Sequence, residues 1–161
     1  MMPTAKCRAW DEKRKIMMEI MAGIRPKGVR AKDFFVGFNS SGLEVSEYEG
    51  KGVWRIFPVM LWTGLPDAKG RPIYQSDIVI DEWDSYRWIV EFDNYARFVL
   101  KRIDSPYADW LQFDEFERQG KKGEFGLYVA GNVFENPELM ALEMRPEAME
   151  EDDEDEQIHR D

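Results

Sequence analysis

Residues 61–79 read Leu-Trp-Thr-Gly-Leu-Pro-Asp-Ala-Lys-Gly-Arg-Pro-Ile-Tyr-Gln-Ser-Asp-Ile-Val, and nearly every one of them has a role in a turn or a strand. Asp67 and Gly70 occupy the first and fourth positions of a predicted type I turn, and Pro72 keeps Arg71 extended. The β-branched residues that follow suit a pleated, half-buried surface. The stretch therefore predicts β structure, and it contains no recognisable catalytic or cofactor motif.

Polar and apolar residues alternate in the strand that starts at Asp77. Because side chains alternate across a strand, Asp77, Val79 and Asp81 share one face, and Ile78 and Ile80 share the other. We expect the isoleucine face to point inward. Asp77 itself is interpreted as a turn residue whose carboxylate accepts backbone N–H bonds two residues further on.

The flanking sequence predicts more strands joined by short turns. Residues 53–62 read as one strand, closed by Trp62, in which Pro58 marks an edge or a bulge. Residues 15–21 fit either a returning strand or a short helix. Alternating patterns around turn residues predict strand pairs over residues 6–21, 34–48 and 87–103.

Two short helices are also predicted. The first begins at residue 105, where Ser-Pro suits a helix start, and ends at Gly120, because Trp110, Phe113 and Phe116 share a helical stripe. Residues 125–130 return to strand. Asn136-Pro137 is typical of a second helix start, with the helix ending near residue 144.

Three motifs resemble the YopX-like proteins, a family carried by phages, prophages and mobile elements of bacteria. The motifs are the central stretch, Lys-Cys-Arg-Ala-Trp-Asp at 6–11, and Gly-Asn-Val-Phe-Glu-Asn-Pro-Glu-Leu at 131–139. Their order and spacing fit the family, which favours a hairpin at the N-terminus. Two positions depart from its pattern: Cys7 replaces an aromatic residue, and Gln75-Ser76 replaces Glu-Gly, where a glycine would tolerate a left-handed backbone.

The resemblance implies a single β-rich domain, all-β or α+β, over residues 1–144. We expect a partly closed SH3-like barrel or twisted antiparallel sheets with one or two short helices. The resemblance implies no biochemical activity. It assigns a structural or partner-binding role to the signature residues Arg8, Trp10, Asp11, Trp62, Thr63, Gly64, Leu65, Gly70, Ile73, Tyr74, Asp77, Gly131, Asn132, Asn136 and Pro137.

Acidic residues concentrate at the C-terminus. Residues 143–161 contain ten acidic and two basic residues of the chain's 32 and 22, so the rest of the chain carries 22 acidic and 20 basic residues and is nearly neutral. The block at 150–156 repels itself and has no apolar residue to bury. Residues 145–161 are therefore predicted to be a disordered acidic tail, which either only solvates the chain or covers a basic surface.

Few catalytic chemistries fit this composition. His159, the only histidine, lies in the predicted tail, and Cys7 has no second cysteine to pair with, which suits a reducing cytoplasm. We therefore assign no catalytic, cofactor-binding or metal residue and expect no cofactor. Carboxylates on two neighbouring strands leave one enzymatic alternative, a magnesium-dependent hydrolase, whose candidate residues are Asp77, Asp81, Glu82, Asp84, Glu91 and Asp93.

The preferred interpretation is a non-enzymatic module that binds a host or phage macromolecule, most simply a protein, in the bacterial cytoplasm. The aromatic-bearing sheet and the loop at 63–72 are the first surfaces to consider. No signal peptide or membrane-spanning run is recognised. A homo-oligomer stays open, as does a nucleic-acid binder gated by the tail, which would use the basic residues of 25–32 and Arg97, Lys101 and Arg102.

The tail prediction is testable by truncation. Removing residues 147–161 should leave the melting temperature unchanged, because a like-charge block buries no apolar surface. Differential scanning calorimetry of the full chain and the truncated chain measures this. A drop of many degrees would mean that the tail is docked on the domain.

Overall fold

The computed structural model describes residues 7–20, 25–40, 42–107, 109–113 and 126–141. In these ranges the chain is β-rich and antiparallel, and one of its sheets curls into a half-barrel, which confirms the predicted fold class. The predicted tail lies outside the described residues. The strands are β1 Cys7–Asp11, β2 Ile16–Ile20, β3 Phe34–Asn39, β4 Gly42–Gly50, β5 Val53–Ile56, β6 Val59–Pro66, β7 Pro72–Tyr74, β8 Asp77–Asp81, β9 Arg87–Phe92, β10 Phe98–Arg102, β11 Trp110–Gln112 and β12 Leu127–Asn132.

The N-terminal hairpin belongs to a four-stranded sheet with the order β2-β1-β6-β7. Cys7 pairs with Ile20 and Asp11 with Ile16, so Ile16–Ile20 returns as a strand rather than a helix. Cys7, Met18 and Ile20 are buried in one cluster of the core together with Phe57. The departure from the family pattern at position 7 thus lies at a buried position of the core.

The predicted strand over residues 53–62 is wrong, because it is two strands in different sheets. β5 pairs with β4 in a three-stranded sheet of order β3-β4-β5, whereas β6 pairs with β1. Pro58 lies between them, where it has no N–H to donate to a ladder, while its carbonyl accepts the N–H of Trp10 at 3.0 Å. Trp62 does not close a strand either, since β6 continues to Pro66.

The five-stranded sheet has the order β11-β10-β9-β8-β12 and contains the predicted hairpin of β9 and β10. The helix predicted from residue 105 is wrong at Trp110–Gln112, where β11 pairs with β10 and Leu111 lies opposite Leu100. The aromatic spacing misled the prediction because Leu111 packs against the core while Trp110 points to the other face. Phe116 and Gly120 lie outside the described residues.

The C-terminal helix is only a single 3-10 turn over Pro137–Met140. Asn136 has φ −130° and ψ 57° and makes no side-chain capping bond, so it is not a side-chain cap. Residues beyond 141 lie outside the described ranges. The turn instead packs Leu139 against the sheet at Ile78 and Ile89.

β8 is buried on both faces, which corrects the expectation of one inward face. Val79 belongs to the largest core cluster, with Ile73, Val90 and Leu100, whereas Ile78 belongs to a separate cluster on the opposite side. Asp77 and Asp81 are consequently buried as well. Apolar layers cover both sides of this strand, because the main core packs on the Val79 face that alternation alone would leave to solvent, and Leu139 of the C-terminal turn packs on the Ile78 face.

Ser76 adopts a left-handed backbone, with φ 68°, at the position where the family pattern has glycine. It lies between β7 and β8, where its N–H donates to the carbonyl of Val90 at 2.7 Å and its carbonyl accepts from Val133 at 3.1 Å. These bonds fix the backbone whatever side chain is present. A non-glycine residue in this conformation costs roughly 1 kcal/mol.

Ser76→Gly should therefore raise the free energy of unfolding by about 0.5–1 kcal/mol, because glycine reaches this φ without the steric cost. Urea denaturation measures the change. Ser40→Gly is the matched control, since Ser40 is exposed and is not among the residues with positive φ, so its replacement should give no gain. A loss of stability in Ser76→Gly would contradict the argument.

Candidate interaction site

The central motif loop is tied to the domain through Asp67. Its buried carboxylate accepts the N–H groups of Lys69 at 2.9 Å, Arg71 at 2.8 Å and Val129 at 3.0 Å. The predicted type I turn is present, since the N–H of Gly70 donates to the carbonyl of Asp67 at 3.0 Å. Burial opposes the charged carboxylate, but the backbone N–H donors outweigh it and lower the pKa of Asp67. The loop is thus held from within.

A buried ion pair joins β1 to β8. The guanidinium of Arg8 binds Oδ1 of Asp77 and lies over the ring of Tyr74, 4.2 Å from its centroid. Oδ2 of Asp77 accepts the N–H of Tyr74 at 2.8 Å. The interpretation of Asp77 as a turn residue that binds N–H groups two residues further on is therefore wrong, because its acceptor faces back to β7 and across to β1.

Desolvation dominates the electrostatics of Asp77. Burial raises its pKa to about 6, although Arg8 and the N–H of Tyr74 both favour the charged form. Arg8 and Asp77 are 15% and 1% exposed, so little water screens the pair. Two signature residues thus form a contact between sheets.

Asp11 is the centre of a second buried network. Arg14 Nη1 donates to its Oδ2 at 2.6 Å and Arg55 Nη1 to its Oδ1 at 2.8 Å, and both arginines also bind Glu47. Burial alone would raise the pKa of Asp11, but the hydrogen bonds from Arg55 and Arg14 hold that pKa well below its usual range. The network fastens the N-terminal hairpin to β4 and β5.

The closing motif builds a turn after β12. Oδ1 of Asn132 accepts the N–H of Phe134 at 3.0 Å and of Glu135 at 2.8 Å, while Oδ1 of Asn136 accepts the N–H of Asn132 at 3.3 Å. A Cβ added to Gly131 would lie 2.3 Å from that Asn136 oxygen. Glycine at 131 therefore allows the asparagine to close the turn, and Pro137 starts the 3-10 turn after it.

The remaining signature residues also have positions inside the frame. Trp10 stacks on Phe134 with ring centroids 6.2 Å apart, and half-buried Trp62 packs on the same cluster. Thr63 donates its hydroxyl to the carbonyl of Ile73 at 2.8 Å. Left-handed backbones occur at Gly64 and Gly70, half-buried Leu65 packs on the main core, and Ile73 and Tyr74 are buried.

The candidate carboxylates of the hydrolase alternative are not gathered into a metal site. Asp77 faces Arg8, Asp81 accepts the N–H of Trp83 at 2.8 Å, and Asp93 binds Arg97 at 3.0 Å. Within the described ranges, no three His, Cys, Asp or Glu side chains lie close enough together to hold one ion. The arrangement here is that of capping and ion-pairing groups.

The basic residues are mostly engaged locally. Arg25 donates to the carbonyl of Val29 at 2.7 Å, Arg30 pairs with Asp33, and Arg102 pairs with Asp104 at 3.0 Å. These three arginines are thus engaged by acceptors close to them in sequence. Lys101 is different, because its ammonium lies 5.1 Å from the ring centroid of Trp110 and makes no ion pair with a described residue.

Exposed apolar side chains concentrate on the three-stranded sheet. Six of the thirteen exposed large hydrophobic residues in the described chain lie there, which makes it the principal apolar surface. The three phenylalanines of β3 are visible in the sequence, but an alternating pattern predicts one buried face and could not show that both faces of this strand stay exposed. The six are Phe35, Val36, Phe38, Val53, Trp54 and Ile56.

A separate cleft of about 570 Å³ lies at the outer end of β9, β10 and β11. Its lining combines polar and apolar side chains. The sequence analysis did not predict the cleft, because it assigned a helix to the residues of β11, which form one of its walls. Its principal side chains are Glu91, Tyr95, Arg97, Val99, Trp110 and Gln112.

The sequence profile of the YopX protein family matches residues 6–141. The chain belongs to the YopX family. The resemblance seen in the three motifs is thereby confirmed, and the match covers all the strands described above. No curated protein matches the sequence significantly.

Two solved structures resemble this YopX family member. Protein EF1440 from Enterococcus faecalis shares 23% identity over 84% of this chain and 97% of its own, with a TM-score of 0.47. YopX from Bacillus subtilis shares 18% identity over 84% of this chain and 95% of its own, with a TM-score of 0.45. In the described part of the chain, no helix has the length and apolar character needed to cross a membrane.

The Asp77 carboxylate predicts a specific pH dependence. Because its folded pKa of about 6 exceeds the ordinary 3.8, the folded chain binds this proton more tightly than the unfolded chain. Its contribution to stability is complete below about pH 4 and is lost as the pH rises through 6, by roughly 3 kcal/mol in all. Between pH 4 and 7, the unfolding free energy of the wild type should therefore fall relative to that of Asp77→Asn. Denaturant titrations of both proteins across this pH range measure the difference.

Asp67→Asn is the control for that titration, because the pKa of Asp67 is lowered rather than raised. The Asp67 variant should follow the wild-type slope between pH 5 and 7. Carbon-detected NMR of the Asp77 carboxyl group provides a direct check, and a midpoint at or below 4 would refute the assignment.

Proposed function

We propose that this chain is a phage-type or mobile-element protein that acts in the bacterial cytoplasm as a non-enzymatic module, and that β3 is where it binds a host or phage protein. This proposal rests on the observation that β3 is an edge strand, paired only with β4 among the described residues. No strand in the described part of the chain pairs with its other edge. Such an edge is a template for an added strand.

The sequence of β3 supports this role because it has none of the usual protections. It reads Phe-Phe-Val-Gly-Phe-Asn, with no lysine, no proline and no charge. Two other outer strands each contain a charged residue, Glu19 in β2 and Arg55 in β5. Soluble proteins normally blunt exposed edges in this way to avoid unwanted pairing. An unprotected six-residue edge is therefore expected to have a partner.

The side chains around the edge define the chemistry of that partner. Phe35 is 43% exposed on one face, and Val36 and Phe38 are 42% and 83% exposed on the other. Phe35 pairs with Ser46 while Val36 pairs with Val45, which places the two phenylalanines on opposite faces. Trp54 and Ile56 extend the apolar surface on the Phe35 side, since Ser46 also pairs with Ile56.

The occupant that fits is an extended segment of another protein with apolar side chains on both faces. Its backbone would continue the ladder, which supplies affinity, and its side chains would contact Phe35 and Phe38, which supplies selectivity. A helix would leave the β3 backbone groups without partners. A strand satisfies them and covers apolar surface on both sides.

Phe38→Lys tests the proposal with little risk to folding, because Phe38 is mostly exposed. A lysine here supplies the charge that protects edges. Quantitative mass spectrometry of species retained from a native-host lysate should show at least a tenfold loss of the specific partner. The purified complex should then show slower hydrogen exchange at β3 amides than the free protein.

Tyr107→Lys is the matched control, since Tyr107 is 76% exposed and lies away from the three-stranded sheet. It should retain the partner at the wild-type level. Equal loss in both variants, or a complex that leaves β3 exchange unchanged, would overturn the proposal. Sedimentation equilibrium tests whether a second copy of this chain pairs with β3 instead. A wild-type dimer that Phe38→Lys converts to a monomer would mean that it does.

A further inference from the structure

The cleft at the outer end of β9, β10 and β11 lies on a different sheet from β3 and has its own chemistry. The strand register places Glu91 opposite Val99 and Val99 opposite Gln112, so these three side chains share one face. Val99 is buried and forms an apolar floor. A carboxylate and an amide therefore flank the floor.

Two aromatic rings border this floor, each with a cation beside it. The guanidinium of Arg97 lies 5.3 Å from the centroid of Tyr95, and the ammonium of Lys101 lies 5.1 Å from that of Trp110. Tyr95 is 78% exposed and Trp110 is 47% exposed. Much of the Tyr95 ring thus stays open despite its cation, and a flat ligand can stack on it.

Glu91 is the polar group in the cleft that has no assigned role in the fold. Its half-buried carboxylate forms no hydrogen bond or ion pair with any described residue. Asp93, by contrast, accepts the N–H groups of Tyr95 and Arg97 and so caps the hairpin turn. An acceptor left without a donor beside an apolar floor favours a ligand that brings N–H donors.

We propose that this cleft binds a nucleotide base with N–H donors on its edge, from single-stranded nucleic acid or a mononucleotide, with guanine the best match. The base would stack on Tyr95 and Trp110, which is how proteins hold unpaired bases. Guanine N1–H and its amino group would donate to the two carboxylate oxygens of Glu91. Lys101 would neutralise a phosphate. Thymine fits less well, because its single N–H lies between two carbonyl oxygens that the carboxylate repels.

The charges of the cleft determine how binding should respond to salt. Glu91 and Asp93 offset Arg97 and Lys101, so these four groups carry no net formal charge, and Lys101 is the cation that forms no ion pair with a described residue. Binding would then depend on stacking and hydrogen bonds more than on counterion release. We expect a slope of log K against log salt of about −0.7, the value for one phosphate of a single strand.

Fluorescence anisotropy with a labelled seven-nucleotide DNA tests the site in the full-length protein. The probe has one central guanine in a thymine background, and the comparison probe is all thymine. The guanine probe should bind more tightly, and Tyr95→Ala should weaken it about fivefold to a hundredfold, the range for loss of one stacking platform. Glu91→Gln should remove the preference for guanine while the thymine probe binds as before.

Tyr107→Ala is the matched control, because Tyr107 is an exposed tyrosine outside the cleft lining, and it should bind like the wild type. Competition separates the two ligand sources. Displacement by guanosine monophosphate at concentrations near the oligonucleotide dissociation constant indicates a mononucleotide site, whereas displacement only by oligonucleotides indicates a strand site. Either result supports the inference.

Other results would overturn it. They are no binding of either probe at 100-micromolar protein, equal affinity for guanine and thymine probes, or wild-type affinity in Tyr95→Ala. If Tyr95→Ala instead released a protein partner and neither probe bound, the cleft would be a peptide site. Because Phe38→Lys alters only the β3 edge, it should leave probe binding unchanged, so the failure of one proposal is distinguishable from the failure of the other.

Discussion

The ion pair between Arg8 and Asp77 is the contact on which the arrangement of the two larger sheets depends. Arg8 belongs to β1 in one sheet and Asp77 to β8 in the other. A buried carboxylate is costly without its partner, so removing either residue would leave an uncompensated charge or donor in the interior. The pair therefore fixes where β1 lies relative to β8, and it does so through one geometry rather than through adaptable apolar packing.

Other buried carboxylates also fix the relative positions of segments through charged hydrogen bonds. Asp11 holds the N-terminal hairpin against β4 and β5 through Arg14 and Arg55, and Asp67 holds the motif loop against β12. In each case the carboxylate accepts N–H groups from its own turn and from one segment that is distant in sequence. Sheets with short strands have limited apolar contact, and such polar connections define their relative positions.

The family signature and the candidate binding surfaces are consequently different parts of the molecule. Signature residues such as Asp11, Asn132 and Asp77 have their polar atoms engaged inside the fold. In the described part of the chain, by contrast, no strand pairs with the outer edge of β3, and the Glu91 carboxylate forms no hydrogen bond or ion pair. A rigid internal frame thus leaves two outer surfaces able to vary in chemistry without loss of the fold.

The sequence by itself determined the family, the β-rich class, most hairpins and the type I turn at Asp67, because alternation and turn residues act over a few neighbouring positions. The sequence-based predictions were wrong about the strand around Pro58, about the structure of β11 and about the environment of Asp77, and the three errors have one common reason. Whether a proline divides two sheets, whether Leu111 pairs with Leu100, and whether β8 is covered on both faces depend on segments far away in the chain. Burial of Asp77 beside Arg8 and the exposure of β3 on both faces were therefore decided only by tertiary structure, since desolvation and edge exposure arise from packing between sheets.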